Sequence, residues 1–192
     1  MRSLLLNGAT QANTDDKKIH NTITELLKQN EFHINDIPLR DRKVTPCQGC
    51  FDCWINTPGI CRINDYGRTI VQQIVQSDLV IHLTPITFGG YSSEIKKVLD
   101  RAIPLLLPFF RYHHDEIHHT QRYEDRPCII VIGYQTEETF QFEQTFKKLT
   151  QRNALNFKAP INKTLTLSNI QNISELENKF KKALNEVKTY YE

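Results

Sequence analysis

The sequence predicts a single α/β domain in which a parallel sheet carries helices on both faces. Short apolar runs alternate with segments of helical period along the chain, and this alternation is typical of such a sheet. The length of 192 residues suits one domain with one core. No internal repeat or linker divides the chain, so residues 1–192 are expected to form one unit.

The first half of the chain alternates strands with helices. Its apolar runs predict strands at residues 3–6, 32–39 and 79–83, of which the last is expected to be central. Apolar side chains three and four residues apart predict a helix after each run, and the most regular of these covers residues 95–102. Asn64-Asp65 and Ser92 or Ser93 provide the polar side chains that cap the second and third helix.

The second half completes a count of five strands and five helices. Residues 128–133 form an unbroken apolar run, as expected of a central strand that is covered on both faces. Apolar positions at residues 142–149 mark the next helix, and the alternating run 161–167 predicts an edge strand. Ser174 and Glu177 form a capping-box pattern before the last helix.

A long insertion, residues 104–126, interrupts this alternation. Its stretch 105–110 is too apolar for a flexible tether, so we expect a lid or an interface. It also contains a group of histidines, His113, His114, His118 and His119. They form either a metal cluster or a polar lid or subunit contact. The second interpretation is favoured, because nothing else in this polar stretch predicts the helix that would place His114 and His118 on one face.

Composition argues against several functional classes. The formal net charge is +2 and the basic residues are scattered, which does not suit a nucleic-acid surface. No run approaches the roughly 18 apolar residues of a membrane helix, and the amino terminus lacks the pattern of a signal peptide. Four of the five cysteines lie within residues 47–61, which favours thiol or metal chemistry in a reducing compartment. We therefore expect a cytoplasmic protein that binds neither nucleic acid nor membranes.

Two polar loops at the carboxyl ends of predicted strands are candidate ligand sites, since ligands of open α/β sheets bind at these ends. The first, residues 7–14, leads into a helix whose free N–H groups and dipole favour a phosphate. The second, residues 84–92, contains Gly89 and Gly90, which allow a close approach of a flat ring to the backbone. Each loop also suits a plain structural role, as a strand-to-helix turn or as a packed aromatic loop.

Several short motifs, taken in order along the chain, resemble one family. They are Asn7-Gly8, Cys47-Gln48-Gly49-Cys50-Phe51-Asp52-Cys53-Trp54, Thr57-Pro58-Gly59-Ile60-Cys61, Thr84-Pro85, Gly89-Gly90-Tyr91-Ser92 and Asp100-Arg101. Together they are similar to the NAD(P)H-dependent FMN reductase group of the flavodoxin-like superfamily, which includes iron–sulfur flavoproteins. The resemblance spans residues 2–133. It implies a flavodoxin-like three-layer sandwich with a five-stranded parallel sheet of order 2-1-3-4-5.

The resemblance also implies a cofactor site and a reaction. The FMN phosphate would lie on residues 9–14 and the isoalloxazine against residues 85–90. The implied cofactor-binding residues are Ala9, Thr10, Gln11, Asn13, Thr14, Pro85, Ile86, Thr87, Phe88, Gly89, Gly90 and Tyr134. NADH or NADPH would reduce the flavin, which passes electrons to a quinone, free flavin or redox protein without a catalytic side chain. A homodimer or homotetramer is implied as well.

The phosphate loop departs from the family pattern. Members of the family commonly have Ser-Pro-Arg where this chain has Ala9-Thr10-Gln11, so one hydroxyl and one cation are missing. Thr87 also replaces a more usual tyrosine. Because backbone amides at a helix end can hold a phosphate without a cation, we expect weaker FMN binding rather than none.

Four cysteines, Cys47, Cys50, Cys53 and Cys61, are spaced C-x2-C-x2-C-x7-C and can surround one metal centre. Four thiolates suit an iron–sulfur cluster or zinc. The resemblance favours a four-iron cluster that feeds the flavin, and buried or redox-active thiols are the third alternative. Cys128 is expected in the core.

Two other functions remain open at this point. One is a non-enzymatic FMN electron carrier, and the other is a cysteine-based metal or redox sensor that no longer binds flavin. Asp100-Arg101 is interpreted as a structural ion pair or an interface group rather than as an acid–base pair.

Overall fold

The computed structural model describes residues 1–11, 13–113, 115–135 and 141–192, with the backbone alone for Gln141. The strands are β1 Arg2–Asn7, β2 His33–Pro38, β3 Leu79–Pro85, β4 Leu106–His113, β5 Glu116–Gln121, β6 Cys128–Tyr134 and β7 Asn162–Leu167. The helices are α1 Thr14–Gln29, α2 Asp52–Ile55, α3 Tyr66–Gln76, α4 Ser93–Arg101, α5 Gln141–Phe157 and α6 Ile173–Tyr191.

Five of the strands form one parallel sheet, in the order β2-β1-β3-β6-β7. The predicted α/β class and five-stranded parallel sheet are confirmed, with β3 at the centre and β7 at an edge. By chain numbering the order differs from the predicted 2-1-3-4-5. The reason is that the insertion 104–126 supplies two strands, β4 and β5, which pair antiparallel with each other outside the sheet.

Helices cover both faces of the sheet because consecutive side chains of a strand point to opposite sides. Leu5 packs in one apolar cluster with residues of α1 and α6. Leu4 and Leu6 pack in a second cluster, with residues of α3, α4 and α5. None of the helices in the described ranges is long and apolar enough to span a bilayer.

Polar side chains set the beginnings of several helices. The predicted caps at Asp65 and Ser92 are confirmed, since each side chain accepts a hydrogen bond from a backbone N–H in the first turn of its helix. The capping box predicted at Ser174 is wrong. A 3-10 turn capped by Asn169 runs directly into α6, which therefore begins before Ser174. Within the described ranges, the short helix α2 adds a sixth α-helix to the predicted five.

The loops that follow β1, β3 and β6 meet at one edge of the sheet. The N–H of Gly8 donates to the carbonyl of Leu83 at 2.7 Å, and the N–H of Ile86 donates to the carbonyl of Tyr134 at 2.8 Å. These bonds extend the strand pairing by one residue into each loop. The two predicted ligand loops are thereby held side by side at the carboxyl edge.

Candidate cofactor site and cysteine segment

The loop after β1 is pressed against the start of α4. A Cβ atom on Gly8 would lie 2.4 Å from Cγ1 of Ile95 and 2.6 Å from Oγ of Ser92, so only glycine fits without a shift. The next residue, Ala9, is buried and donates its N–H to Oδ1 of Asn7 at 3.0 Å. The first part of the predicted phosphate loop therefore belongs to the frame of the site.

The second part of this loop exposes the start of α1 to solvent. Asn13 caps the helix, and its Oδ1 accepts a hydrogen bond from the N–H of Asp16 at 2.7 Å. The side chains of Thr10, Gln11 and Thr14 are exposed around it. The first N–H groups of any helix lack intrahelical acceptors, so this end offers donors and hydroxyl groups to an anion. This donor chemistry fits the phosphate of FMN.

Two carboxylates in the first turn of α1, Asp15 and Asp16, oppose that fit. Asp16 is buried and lies near Tyr134, which is itself buried at the end of β6. Burial and the neighbouring Asp16 carboxylate raise the pKa of Tyr134, so its phenol stays protonated. Tyr134, a predicted ligand of the cofactor, is thus placed to support the start of α1 from the protein interior.

The loop after β3 forms a tight turn. Thr87 and Gly90 exchange two backbone hydrogen bonds, of 3.0 and 2.9 Å. Between them, Phe88 and Gly89 both have left-handed backbone angles, with φ of 49° and 74°, as in the two-residue turns that join strands. The turn presents the Phe88 side chain, which is 91% exposed, beside the edge where the two loops meet. An exposed aromatic ring at this place fits a planar cofactor.

The two glycines of this loop do not both face open space. A Cβ atom on Gly89 would lie 3.1 Å from Cγ2 of Thr145 and 3.6 Å from Cδ1 of Phe142, so Gly89 packs against α5. Pro85 and Ile86 are half-buried. Within this loop the exposed surface therefore comes from Thr87 and Phe88 rather than from the glycines.

The cysteine segment, residues 46–62, connects β2 to α3 and contains α2. Its four cysteines are free thiols, of which Cys53 is buried and Cys50 exposed. Burial raises the pKa of Cys53, and the nearby Cys61, Cys47 and Cys50 raise it further, which places the four thiols in one neighbourhood.

Among the described residues, however, no group of three or more His, Cys, Asp or Glu side chains could hold a metal ion. This arrangement does not suit zinc, which needs sulfurs about 2.3 Å from one ion. Four thiolates are nevertheless the donors that an iron–sulfur cluster takes. An iron–sulfur cluster and free redox-active thiols both stay predictions.

Arg101 forms the structural ion pair predicted for it, but with a different partner. Its guanidinium binds Asp65 at 2.9 Å in the protein interior. The adjacent Asp100 instead pairs with Lys96 at the surface. Burial raises the pKa of Asp65, but hydrogen bonds from Arg101 and from the Thr45 backbone outweigh it and lower the pKa to about 2. Sequence spacing gave no signal for this pair, whose members are 36 residues apart.

The described histidines of the insertion, His113, His118 and His119, lie on a hairpin rather than on a helix. His118 is buried, with one ring nitrogen 3.0 Å from Oδ1 of Asn156 in α5 and the other 2.9 Å from Glu116. His119 donates to the carbonyl of Leu107 at 2.9 Å. These contacts serve packing, and the described histidines form no metal group. His114 lies outside the described residues.

Aromatic rings connect this hairpin to the cysteine segment. The indole N–H of Trp54 in α2 donates to the carbonyl of Leu106 at 2.9 Å. Its ring stacks on Phe51 and contacts His119, which in turn contacts Phe110. The start of the hairpin and the cysteine segment are therefore fixed to each other.

Comparisons with known proteins identify a matching family and curated relatives. The family model described as NADPH-dependent FMN reductase matches residues 1–148. An iron–sulfur flavoprotein of Methanocaldococcus jannaschii is 35% identical over 89 residues, which make up 46% of this chain and 43% of that protein. The aligned part thus spans less than half of that curated relative.

Solved structures share the fold along almost the whole chain. An FMN-dependent NADH-azoreductase of Bacillus anthracis, solved with FMN, matches with a TM-score of 0.66 and 15% identity, over 97% of this chain and 98% of that one. An NAD(P)H:quinone oxidoreductase from Methanothermobacter marburgensis matches with a TM-score of 0.67 and 11% identity, over 96% and 97%. At such identities the likeness concerns the fold alone.

Proposed function

The chain belongs to the family of NADPH-dependent FMN reductases, and we propose that it is an FMN-dependent NAD(P)H oxidoreductase. One observation carries the proposal. The exposed start of α1 and the turn that presents Phe88 follow β1 and β3, and the bond from Gly8 to Leu83 holds their loops together. An anion site beside an aromatic surface suits a molecule that has a phosphate at one end and a flat ring at the other.

In this proposal the chain binds and orients the cofactor. The N–H groups at the start of α1, with Thr10, Asn13 and Thr14, would hold the phosphate. Thr87 and Phe88 would contact the ring, while the remaining predicted residues, Ala9, Gln11, Pro85, Ile86, Gly89, Gly90 and Tyr134, shape the loops. When bound, FMN would accept a hydride from NAD(P)H and pass electrons to an acceptor. Because the phosphate loop has no cation and Asp15 follows it in the first turn of α1, binding would be weaker than in a loop with arginine.

The acceptor is proposed to be a quinone, a free flavin or a redox protein. The name of the curated relative supports a further electron carrier on the four cysteines, an iron–sulfur cluster. Exposed aromatic side chains on β4, Phe109, Phe110 and Tyr112, support a homodimer or homotetramer joined through the hairpin. We also propose that the protein is cytoplasmic.

Steady-state oxidation of NADH and NADPH, with FMN and a quinone or ferricyanide present, tests this function. We expect turnover that depends on FMN. Replacing Phe88 by alanine should reduce turnover at limiting FMN by roughly threefold to tenfold, since one aromatic contact contributes about 0.5–1.5 kcal/mol. Tyr190→Ala is the matched control, because Tyr190 is also an exposed aromatic residue but lies on α6.

Three outcomes separate the proposal from its rivals. FMN-dependent oxidation of NADH or NADPH that is slower in Phe88→Ala supports the oxidoreductase. Bound FMN without nicotinamide oxidation would favour the electron carrier. Absence of FMN binding would favour the cysteine-based sensor.

A further inference from the structure

One buried arginine ties together the two ends of the cysteine segment. Arg101, the last residue of α4, is 1% exposed. Its Nη1 donates to the carbonyl of Thr45 at 2.9 Å, and its Nη2 donates to the carbonyl of Ile63 at 3.0 Å. Thr45 lies two residues before Cys47, and Ile63 lies two residues after Cys61. A single side chain therefore spans the base of the segment.

Asp65 fixes the orientation of this guanidinium. Its two oxygens accept from both Nη groups of Arg101, at 3.0 and 2.9 Å, in the planar two-bond geometry that suits this pair. The same carboxylate accepts the N–H of Thr45 at 2.7 Å and the N–H of Gly67 at 2.9 Å. Asp65 thus joins the entry of the segment, the arginine and the start of α3 in one network.

Stability alone does not account for this arrangement. Two charges cost free energy when they leave water, and apolar side chains of similar size often serve a core as well or better. Contacts between apolar side chains, however, are not directional. Four hydrogen bonds from one planar group fix two backbone carbonyls and a carboxylate at defined angles, which packing alone does not do.

We propose that Arg101 is a positioning residue for the four thiols, because it holds Thr45 and Ile63 side by side and so fixes the conformation of residues 46–62. This proposal depends on the proposed function in one respect, which is that the protein uses these four thiols. It applies whether the thiols hold a cluster or stay free.

Helix α4 extends the effect of this clamp to the flavin loops. Ser92, which caps the helix, lies against Gly8 in the loop after β1. Arg101 lies at the other end, roughly 13–14 Å from Ser92 along the axis at 1.5 Å per residue. One rigid element therefore sets the cysteine segment at a fixed distance from the proposed flavin edge.

The test compares two cysteines of the full chain in their reduced, metal-free form. Cys53 is 7% exposed within the segment, whereas Cys128 is 0% exposed in the interior strand β6. A thiol reagent followed by peptide mass analysis gives the labelling rate of each. Cys53 reports opening of the segment, and Cys128 reports unfolding of the domain.

Arg101→Lys keeps the charge but cannot span both carbonyls and the carboxylate. We expect Cys53 in this variant to react at least about tenfold faster, with Cys128 unchanged, because the hydrogen bonds of Arg101 go to Thr45, Ile63 and Asp65 at the base of the segment rather than to β6. Asp100→Asn is the matched control on the same helix. Among the described residues Asp100 pairs with the exposed Lys96 alone, so this variant should label like the original protein. If Arg101→Lys does not fold, Asp65→Asn serves as the second variant, with the same expectation.

Equal increases in the labelling rates of Cys53 and Cys128 would overturn the proposal, since the arginine would then stabilise the domain as a whole. An unchanged rate at Cys53 would overturn it as well. The labelling uses neither flavin nor nicotinamide. A failure of NAD(P)H oxidation would therefore leave the result intact, and the two proposals can fail separately.

Discussion

Acid should destabilise this protein through a histidine buried in its central strand. His82 lies in β3 between Leu6 of β1 and Val131 of β6, and it is 4% exposed. Burial lowers its pKa from 6.5 to about 4, so the ring is neutral in the folded protein at pH 7. The unfolded chain, in contrast, takes up a proton on this residue as the pH falls below about 6.5.

The sign and the size of the effect follow from this difference. Between pH 6.5 and about 4 the unfolded state binds a proton that the folded state does not, so the free energy of unfolding decreases as the pH falls. The full loss is roughly 3 kcal/mol, at about 1.4 kcal/mol for each pH unit between the two values. At about pH 5 roughly 2 kcal/mol of it should have been lost.

Urea unfolding at about pH 7.5 and about pH 5 measures this loss, with His82→Leu as the variant that lacks the titrating ring. The original protein should lose roughly 2 kcal/mol more than the variant between the two conditions. The carboxylates of Asp65 and Glu116 do not interfere, because their pKa values of about 2 place their effect below this range. Equal losses in the two proteins would refute the reasoning.

Two further substitutions test contacts that frame the site. Gly8→Val should weaken FMN binding and lower the free energy of unfolding by about 1–3 kcal/mol. The reason is that the valine side chain would displace Ile95 and the Ser92 cap of α4. A variant that unfolds and binds FMN like the original protein would show that this close packing does not matter. Trp54→Phe should cost about 1 kcal/mol or more, because it removes the indole N–H that donates to the carbonyls of Leu106 and Ile103 and leaves a smaller aromatic ring. Chemical unfolding measures this loss of stability, and an unchanged unfolding midpoint would contradict the role given to the indole N–H.

Elements with a clear period were predictable from the sequence, and short or irregular ones were not. The five sheet strands carry either an apolar run or an alternating apolar pattern, so the ends of each were predicted to within two residues. Helix α2 has four residues, which is too few for a helical period to show. The hairpin was missed because the pairing shifts between Leu106 and Phe110, which disturbs the alternation that marks a strand.

In the candidate site, too, local features could be predicted from the sequence, whereas contacts between distant residues could not. The resemblance to the FMN reductase family was confirmed by the match over residues 1–148. The two loops lie at one edge because the carboxyl ends of parallel strands always do. Contacts between distant parts of the chain could not be predicted. Gly89 packs against α5, Tyr134 lies next to Asp16, and Arg101 pairs with a residue of another helix start.

The central claim is that FMN binds where the loops 9–14 and 85–90 meet, with its phosphate at the start of α1. A fluorescence titration of FMN and of riboflavin with the purified full chain tests it most directly, since the two ligands share the ring and differ in the phosphate. We predict saturable binding of FMN, with clearly weaker binding of riboflavin and competition by inorganic phosphate. Equal binding of both ligands, or binding of neither, would contradict the claim.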